Sequence, residues 1–188
     1  MSKKTSFNNA KVLKKITLLF HLKGYVATSM QDIVDITGLN RSSIYNSFGS
    51  KLELFIKCFN LCETMYKRDI QKIILSNFPP LKSLHEIFEL SIRKSFDKYL
   101  IPNYITEIKN EEPLIKQLIL NQQAYMLDLF QDIVKRGQSI GTINNSKTNK
   151  QYASYLLTSY YGLQSMVNFS DEKIKLENII YDIISVLE

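Results

Sequence analysis

Apolar residues recur every three or four positions along most of this 188-residue chain. In the first run, Ala10, Leu13, Ile16, Thr17 and Phe20 share one helical face, while Lys11, Lys14 and Lys15 lie largely on the other. That spacing predicts an amphipathic helix over residues 10–22. Gly24 ends it. Thr28 and Ser29 then offer two N-caps, with Gln31 and Asp32 three residues beyond them. Ile33, Val34 and Ile36 carry a second helix to Gly38, and Asn40 caps a third that runs to about Phe48. Gly49 breaks the third helix, and Ser50 with Glu53 in the capping-box position opens a fourth. Leu52, Phe55, Ile56, Phe59, Cys62, Tyr66, Ile70 and Ile73 keep its apolar face continuous until Pro79-Pro80.

Helical patterns continue at about Lys82–Leu100, at about Leu114–Arg136 closed by Gly137, and at about Lys150–Phe169 and Glu172–Leu187. Pro102 and Pro113 bracket an irregular piece, and Gly141–Asn149 reads as a polar loop. No alternating strand pattern stands out. The expected fold is all-α with about nine helices: an N-terminal three-helix domain over residues 1–50 and a helical body over residues 51–188. No linker separates them. The fourth helix belongs to both, which suits mechanical coupling.

Charge changes this picture at one end. Residues 1–55 hold eight Lys and Arg against three Asp and Glu, whereas the remainder holds sixteen against fifteen. A basic end on a nearly neutral body is the footprint of a polyanionic partner, or else of lysines that only keep the surface soluble. Cys58 and Cys62 share a helix face and read as small buried hydrophobes; His21 and His85 lie apart from them, so no metal-ligand spacing arises. No apolar run approaches the length of a membrane span. The N-terminal stretch imitates a signal peptide only faintly, because lysines interrupt it and Ile16–Phe20 is too short. The expectation is a cytoplasmic protein without cofactor.

The chemistry concentrates between Thr28 and Phe55. A helix-turn-helix needs a bracing helix, a turn that often holds Gly, and a second helix for the major groove. Asp32–Thr37, Gly38-Leu39-Asn40 and Arg41–Phe48 meet that plan. Leu39 and Ile44 would tuck the second helix inward, leaving Arg41, Ser42, Ser43, Tyr45 and Asn46 to meet phosphates or base edges. Thr28, Ser29 and Lys51 sit at or beside helix N-termini, where backbone N–H groups and the dipole favour phosphate. Each has a structural alternative: Ser29 as a cap only, Tyr45 packed on the first helix, Lys51 solvated.

The order Leu19-Phe20, Gly24-Tyr25, Thr28-Ser29, Asp32-Ile33, Gly38-Leu39, Ile44-Tyr45, Phe48 and Ser50-Lys51 resembles the N-terminal domain of TetR/AcrR-family transcriptional regulators. The match covers about Ala10–Phe55 with its spacing kept. The resemblance implies an all-α homodimer on double-stranded DNA with a palindromic operator. It implies that Arg41–Phe48 enters the major groove while Tyr45 and Lys51 touch the backbone. Ser47 departs from the pattern, since similar proteins often carry a larger His or Tyr there. The resemblance also implies a body that binds a small-molecule effector, and a dimer interface on the last two long helices.

Within the body, Tyr155, Leu156, Ser159, Tyr160 and Leu163, beside Gly162, fit an interface and equally fit intrachain core. Polar groups on apolar faces, Gln122 and His85, together with Phe88, Phe96, Tyr99, Tyr104 and Tyr125, are candidates to line an effector cleft or to be core. No nucleophile–base pair, phosphate loop or metal constellation points to an enzyme, so no catalytic residue is assigned. The reading is a transcriptional regulator, a repressor released by a small apolar or aromatic ligand. The rival is a helical protein-interaction module with a degenerate helix-turn-helix.

Overall fold

The computed structural model describes residues 9–96, 113–167 and 173–188. Eight helices form among these residues, and no strand: α1 Asn9–Lys23, α2 Met30–Thr37, α3 Arg41–Phe48, α4 Lys51–Leu75, α5 Pro80–Phe96, α6 Pro113–Ser139, α7 Asn149–Val167 and α8 Lys173–Ser185. The all-α class holds. The chain forms two compact units, and it passes from one to the other inside α4, between Met65 and Tyr66.

In the first unit, Val12, Ile16 and Phe20 of α1, Ile33 of α2, Ile44 and Phe48 of α3, and Leu54, Phe55, Cys58, Phe59 and Cys62 of α4 are all buried. Phe55 meets Phe20 edge-on at 5.2 Å and Tyr25 at 5.0 Å, a geometry that ring quadrupoles favour. Cys58 and Cys62 are both buried in this core and form no disulfide. Burial pushes the Cys58 thiol up to about 12, so at neutral pH it behaves as a hydrophobe.

Caps fix each short helix. Ser29 takes the cap of α2: its Oγ accepts from the Asp32 N–H at 3.1 Å, and its own N–H donates to Asp32 Oδ2 at 2.8 Å. Asn40 Oδ1 accepts from the Ser43 N–H at 2.8 Å, and Ser50 with Glu53 forms the same reciprocal box at the start of α4. Gly38 has φ +71°, in the left-handed region open to glycine at little cost, and its N–H returns to Val34 O at 2.8 Å. Lys23 Nζ lies 2.6 Å from Asp32 Oδ1. This ammonium, with the Ser29 N–H and hydroxyl, holds the Asp32 carboxyl well below the usual carboxylate range.

The second unit centres on three rings: Phe88 of α5 stacks on Phe130 of α6 at 5.9 Å, and both meet Tyr160 of α7 edge-on at 5.7 and 5.8 Å. The α6–α7 turn is tied to the chain's end, where the Asn144 N–H donates to Leu187 O at 2.9 Å and the Tyr152 hydroxyl donates to Asn144 Oδ1 at 2.6 Å.

Two boundaries depart from the pattern. α5 starts at Pro80, not Lys82, because proline at the first helical position loses only an N–H that would be unpaired anyway. α6 runs through Gly137 to Ser139. Gly137 is therefore not a stop but a close approach: a Cβ there would lie 2.5 Å from Ile143 Cδ1 and 2.6 Å from Cγ1. The turn comes at Gly141, with φ +75°.

Gly137→Ala sets a helix-propensity gain of about 1 kcal/mol against overpacking of about 1–3 kcal/mol onto a stiff β-branched neighbour. Chemical denaturation should show net destabilisation, and the loss should vanish in an Ile143→Ala background. For Asp32, a depressed folded-state pKa means stability that is present above the unfolded value near about 4 and lost as pH falls below it. Wild type should therefore melt above Asp32→Asn at neutral pH, and the gap should close in thermal scans taken progressively below that value.

Candidate nucleic-acid interface

The eight residues of α3 divide cleanly. Ile44 and Phe48 point into the first unit, and Arg41, Ser42, Tyr45, Asn46 and Ser47 are exposed. Ser43 is half-buried, with its N–H on the Asn40 cap. Tyr45 is 48% exposed, which rejects packing on α1 as its role. An exposed aromatic on a polar helix face has its ring and hydroxyl available to a backbone sugar or phosphate. Beside it Arg41 carries a forked cation and Asn46 a carboxamide, the groups that pair with guanine and adenine edges.

Thr28 is corrected. It is 1% exposed, and its hydroxyl donates to Gly24 O at 2.6 Å. The side chain closes the α1–α2 turn and does not face outward, because the following residue, Ser29, takes the cap. Ser29 is exposed at the amino end of α2, with its hydroxyl 2.7 Å from Asp32 Oδ2. Lys51 Nζ sits 4.5 Å above the Tyr25 ring and 3.3 Å from Val26 O. The solvated reading of Lys51 therefore gives way to a positioned one: the ammonium is held against the segment that leads into α2, where a phosphate would meet the amino end of that helix.

Two further lysines escape sequence reading. Lys15 Nζ donates to Ile36 O at 3.1 Å, near the carboxyl end of α2, and Lys57 Nζ donates to Phe48 O at 2.8 Å, at the carboxyl end of α3. Both place a cation at the negative end of a helix, and neither spacing has a local signature.

In the second unit the candidate residues separate. Phe88 is core, fully covered by Phe130 and Tyr160. The His85 ring lies 4.8 Å from that of Tyr181, in an open hollow of about 380 Å³ lined also by Leu81, Lys82, Glu86, Ile184 and Glu188. It does not join Gln122 and Tyr125. Gln122 is 3% exposed, and Tyr125 is half-buried beneath the Lys67 ammonium at 4.7 Å. The Phe96 side chain, Tyr99 and Tyr104 lie outside the described residues. Sequence reading missed Tyr66, Tyr161 and Gln164: the Tyr66 and Tyr160 hydroxyls share a hydrogen bond, and Tyr161 packs edge-on against Tyr160 at 5.5 Å.

The dimer candidates are corrected in part. Leu156, Tyr160 and Leu163 are at most 2% exposed within the single chain, so they are core. The Tyr155 hydroxyl donates to Ile183 O at 3.2 Å, and Ser159 is half-buried. Periodicity correctly put these residues near one face of α7 but could not say which helix covers it. The outward face is Ser154, Thr158, Gly162, Ser165 and Met166.

Among the described residues no group of three or more His, Cys, Asp or Glu could hold a metal, and no helix is long and apolar enough to cross a membrane.

Comparison with known proteins bears on the first unit most directly. The family model described as bacterial regulatory proteins, tetR family, matches residues 12–58. Over 43 residues, 23% of this chain and 22% of the other, the sequence is 44% identical to the HTH-type transcriptional repressor BdcR of Escherichia coli (strain K12). Across the whole of both chains it is 23% identical to the uncharacterized HTH-type transcriptional regulator YezE of Bacillus subtilis (strain 168). In fold it is similar to a cysteine mutant of the TetR-family regulator CifR complexed with 26-bp double-strand operator DNA, with TM-score 0.88, 15% identity and full coverage of both chains. The helix-turn-helix of residues 12–58 is thus matched to the tetR family of bacterial regulatory proteins, and the whole chain shares its fold with TetR-family regulators.

Proposed function

We propose that this regulator is a cytoplasmic repressor that binds a palindromic operator as a homodimer and leaves it when a small molecule enters the second unit. The observation that carries the DNA reading is the exposed, doubly capped face of α3, with Arg41, Tyr45 and Asn46 on one short helix. Arg41 and Asn46 are assigned to base edges. Tyr45, Lys51, Ser42, Ser43 and Ser29 are assigned to the backbone, with the remaining N–H groups of α2 beside Ser29. Two copies of α3 must meet successive major grooves about 34 Å apart, so anything that changes their spacing weakens binding. α4 is one continuous helix from Lys51 to Leu75. A displacement of Tyr66 on it would be carried toward the recognition helix, which gives an effector a route to the operator.

The repressor assignment draws on relatives named as repressors. The dimer assignment draws on the outward face of α7, where Ser154, Thr158 and Gly162 recur every four residues and leave room for a second backbone.

Selection of duplexes from a random pool should return an inverted repeat. On that duplex, Arg41→Ala should cost about 1–3 kcal/mol and relax one base position. Tyr45→Ala should weaken binding about ten-fold or more across sequences. Both should leave the melting temperature nearly unchanged, as exposed positions do. Unchanged affinity for Tyr45→Ala would favour the interaction-module reading. Gly162→Arg tests the dimer: a Cβ there meets nothing within 4 Å in its own chain, so a folded monomer by sedimentation, with lost operator binding, is the expected result.

A further inference from the structure

The second unit buries polar atoms that its own fold does not satisfy. Gln122 of α6 and Gln164 of α7 are each 3% exposed. Gln122 Nε2, Gln164 Oε1 and the Tyr161 hydroxyl find no hydrogen-bond partner among the described residues. A buried polar atom without a partner carries its full desolvation penalty, and native proteins keep few of them unless water or a ligand completes the bond.

These atoms belong to one neighbourhood. The Gln164 carboxamide lies close enough to the Tyr160 hydroxyl to bear on its ionisation, and that hydroxyl bonds Tyr66. Tyr161 and Tyr125 lie close enough to Tyr66 to bear on its ionisation. α6 and α7 pack with Phe130 against Tyr160 at 5.8 Å. Counted back from that contact along two helices joined by a short turn, Gln122 falls roughly one turn, about 5 Å, from the level of Gln164.

The chemistry on offer is specific. A carboxamide N–H donates, a carboxamide oxygen accepts, a phenol does either, and tyrosine rings supply flat apolar walls. None of these groups is charged. Burial pushes the Tyr161 phenol up to about 12 and raises Tyr66 and Tyr160 as well, so all three stay protonated at neutral pH. An ion placed among them would lose its hydration and gain no counter-charge. The nearby ammonium, Lys67, lies over the Tyr125 ring and is half-exposed. It makes an anion the alternative to be tested.

We propose that the effector of this regulator is an uncharged aromatic molecule carrying both a hydrogen-bond donor and an acceptor, an amide or phenol, held by Gln122, Gln164 and Tyr161. This rests on the effector reading above and narrows it from apolar to neutral and hydrogen-bonding.

Three isosteric probes separate the charge classes: 4-hydroxybenzamide (neutral), 4-hydroxybenzoate (anionic) and 4-hydroxybenzamidine (cationic). Each is titrated calorimetrically into the full chain at neutral pH, up to millimolar concentration, and then into its operator complex. The amide should bind at least about ten-fold more tightly than either ion. A readout independent of any ligand comes from Gln164→Leu and Gln122→Leu. Replacing an unpaired buried amide by an apolar isostere should raise the melting temperature by about 2–4 °C, while weakening the amide about ten-fold. Tighter binding of benzoate or benzamidine overturns the neutral class, yet leaves the effector reading intact if that ion releases DNA. No binding by any probe, or a lower melting temperature in both Leu variants, overturns the site. Amide binding that leaves operator affinity unchanged supports the site and sinks the release reading.

Discussion

The recognition helix is the constraint on which the rest of the DNA-reading unit depends. Eight residues make barely two turns, and an isolated helix that short is unstable in water, because nucleation costs more than so few bonds return. α3 buries two large side chains, Ile44 and Phe48. Its ends are held from outside the helix, by Asn40 at the amino end and Lys57 at the carboxyl end. Its position is therefore inherited from the core it rests on, where Phe55 of α4 is locked by Phe20 and Tyr25. The outward face can then be polar throughout, since none of its residues is needed to keep the helix in place. That division frees Arg41, Tyr45 and Asn46 for a partner.

Much of this unit was legible because its signals are local. Asn40, and Ser50 with Glu53, are caps whose chemistry is complete within four residues, and Gly38 marks the turn by its backbone freedom. Where two adjacent residues carried the same signal, as Thr28 and Ser29 do, the sequence could not choose. The structure assigns Ser29 the cap and turns the Thr28 hydroxyl back to Gly24 O. Lys15 and Lys57 were illegible as caps, because each acts on a carbonyl brought near only by packing. In the second unit the apolar faces were legible but their partners were not. Leu156, Tyr160 and Leu163 are as apolar as interface residues need to be, and only the cover supplied by other helices makes them core. Gly137 reads as a stop until Ile143 is seen against it.

The two units solve different physical problems with the same helical material. In the first, the buried Thr28 hydroxyl has a partner, as do the more exposed cap side chains and the Asp32 carboxylate, and the Thr17 hydroxyl is left without one. The second has an aromatic centre of Phe88, Phe130 and Tyr160 that packs well, and then a polar margin around Gln122, Tyr161 and Gln164 that is left incomplete. Unpaired polar atoms lower stability, each by about 1–3 kcal/mol, a large share of the margin by which domains of this size stay folded. A sequence under no demand but stability would carry leucine or methionine at those glutamine positions.

On the effector reading, that incompleteness is what gives a ligand its leverage. A molecule can shift a conformational equilibrium only by as much as it prefers one state over the other. A ligand that merely filled a finished apolar core would contact both states alike. One that completes bonds to Gln122, Gln164 and Tyr161 gains most in the state where those atoms converge and loses that gain where they do not. The Tyr66–Tyr160 hydrogen bond links the same network to α4, and α4 also carries Phe55, the residue that seats the recognition unit. A preference set by a few hydrogen bonds, worth about 1–3 kcal/mol of coupling, would change operator affinity roughly 5–150-fold through a helix already present in both units.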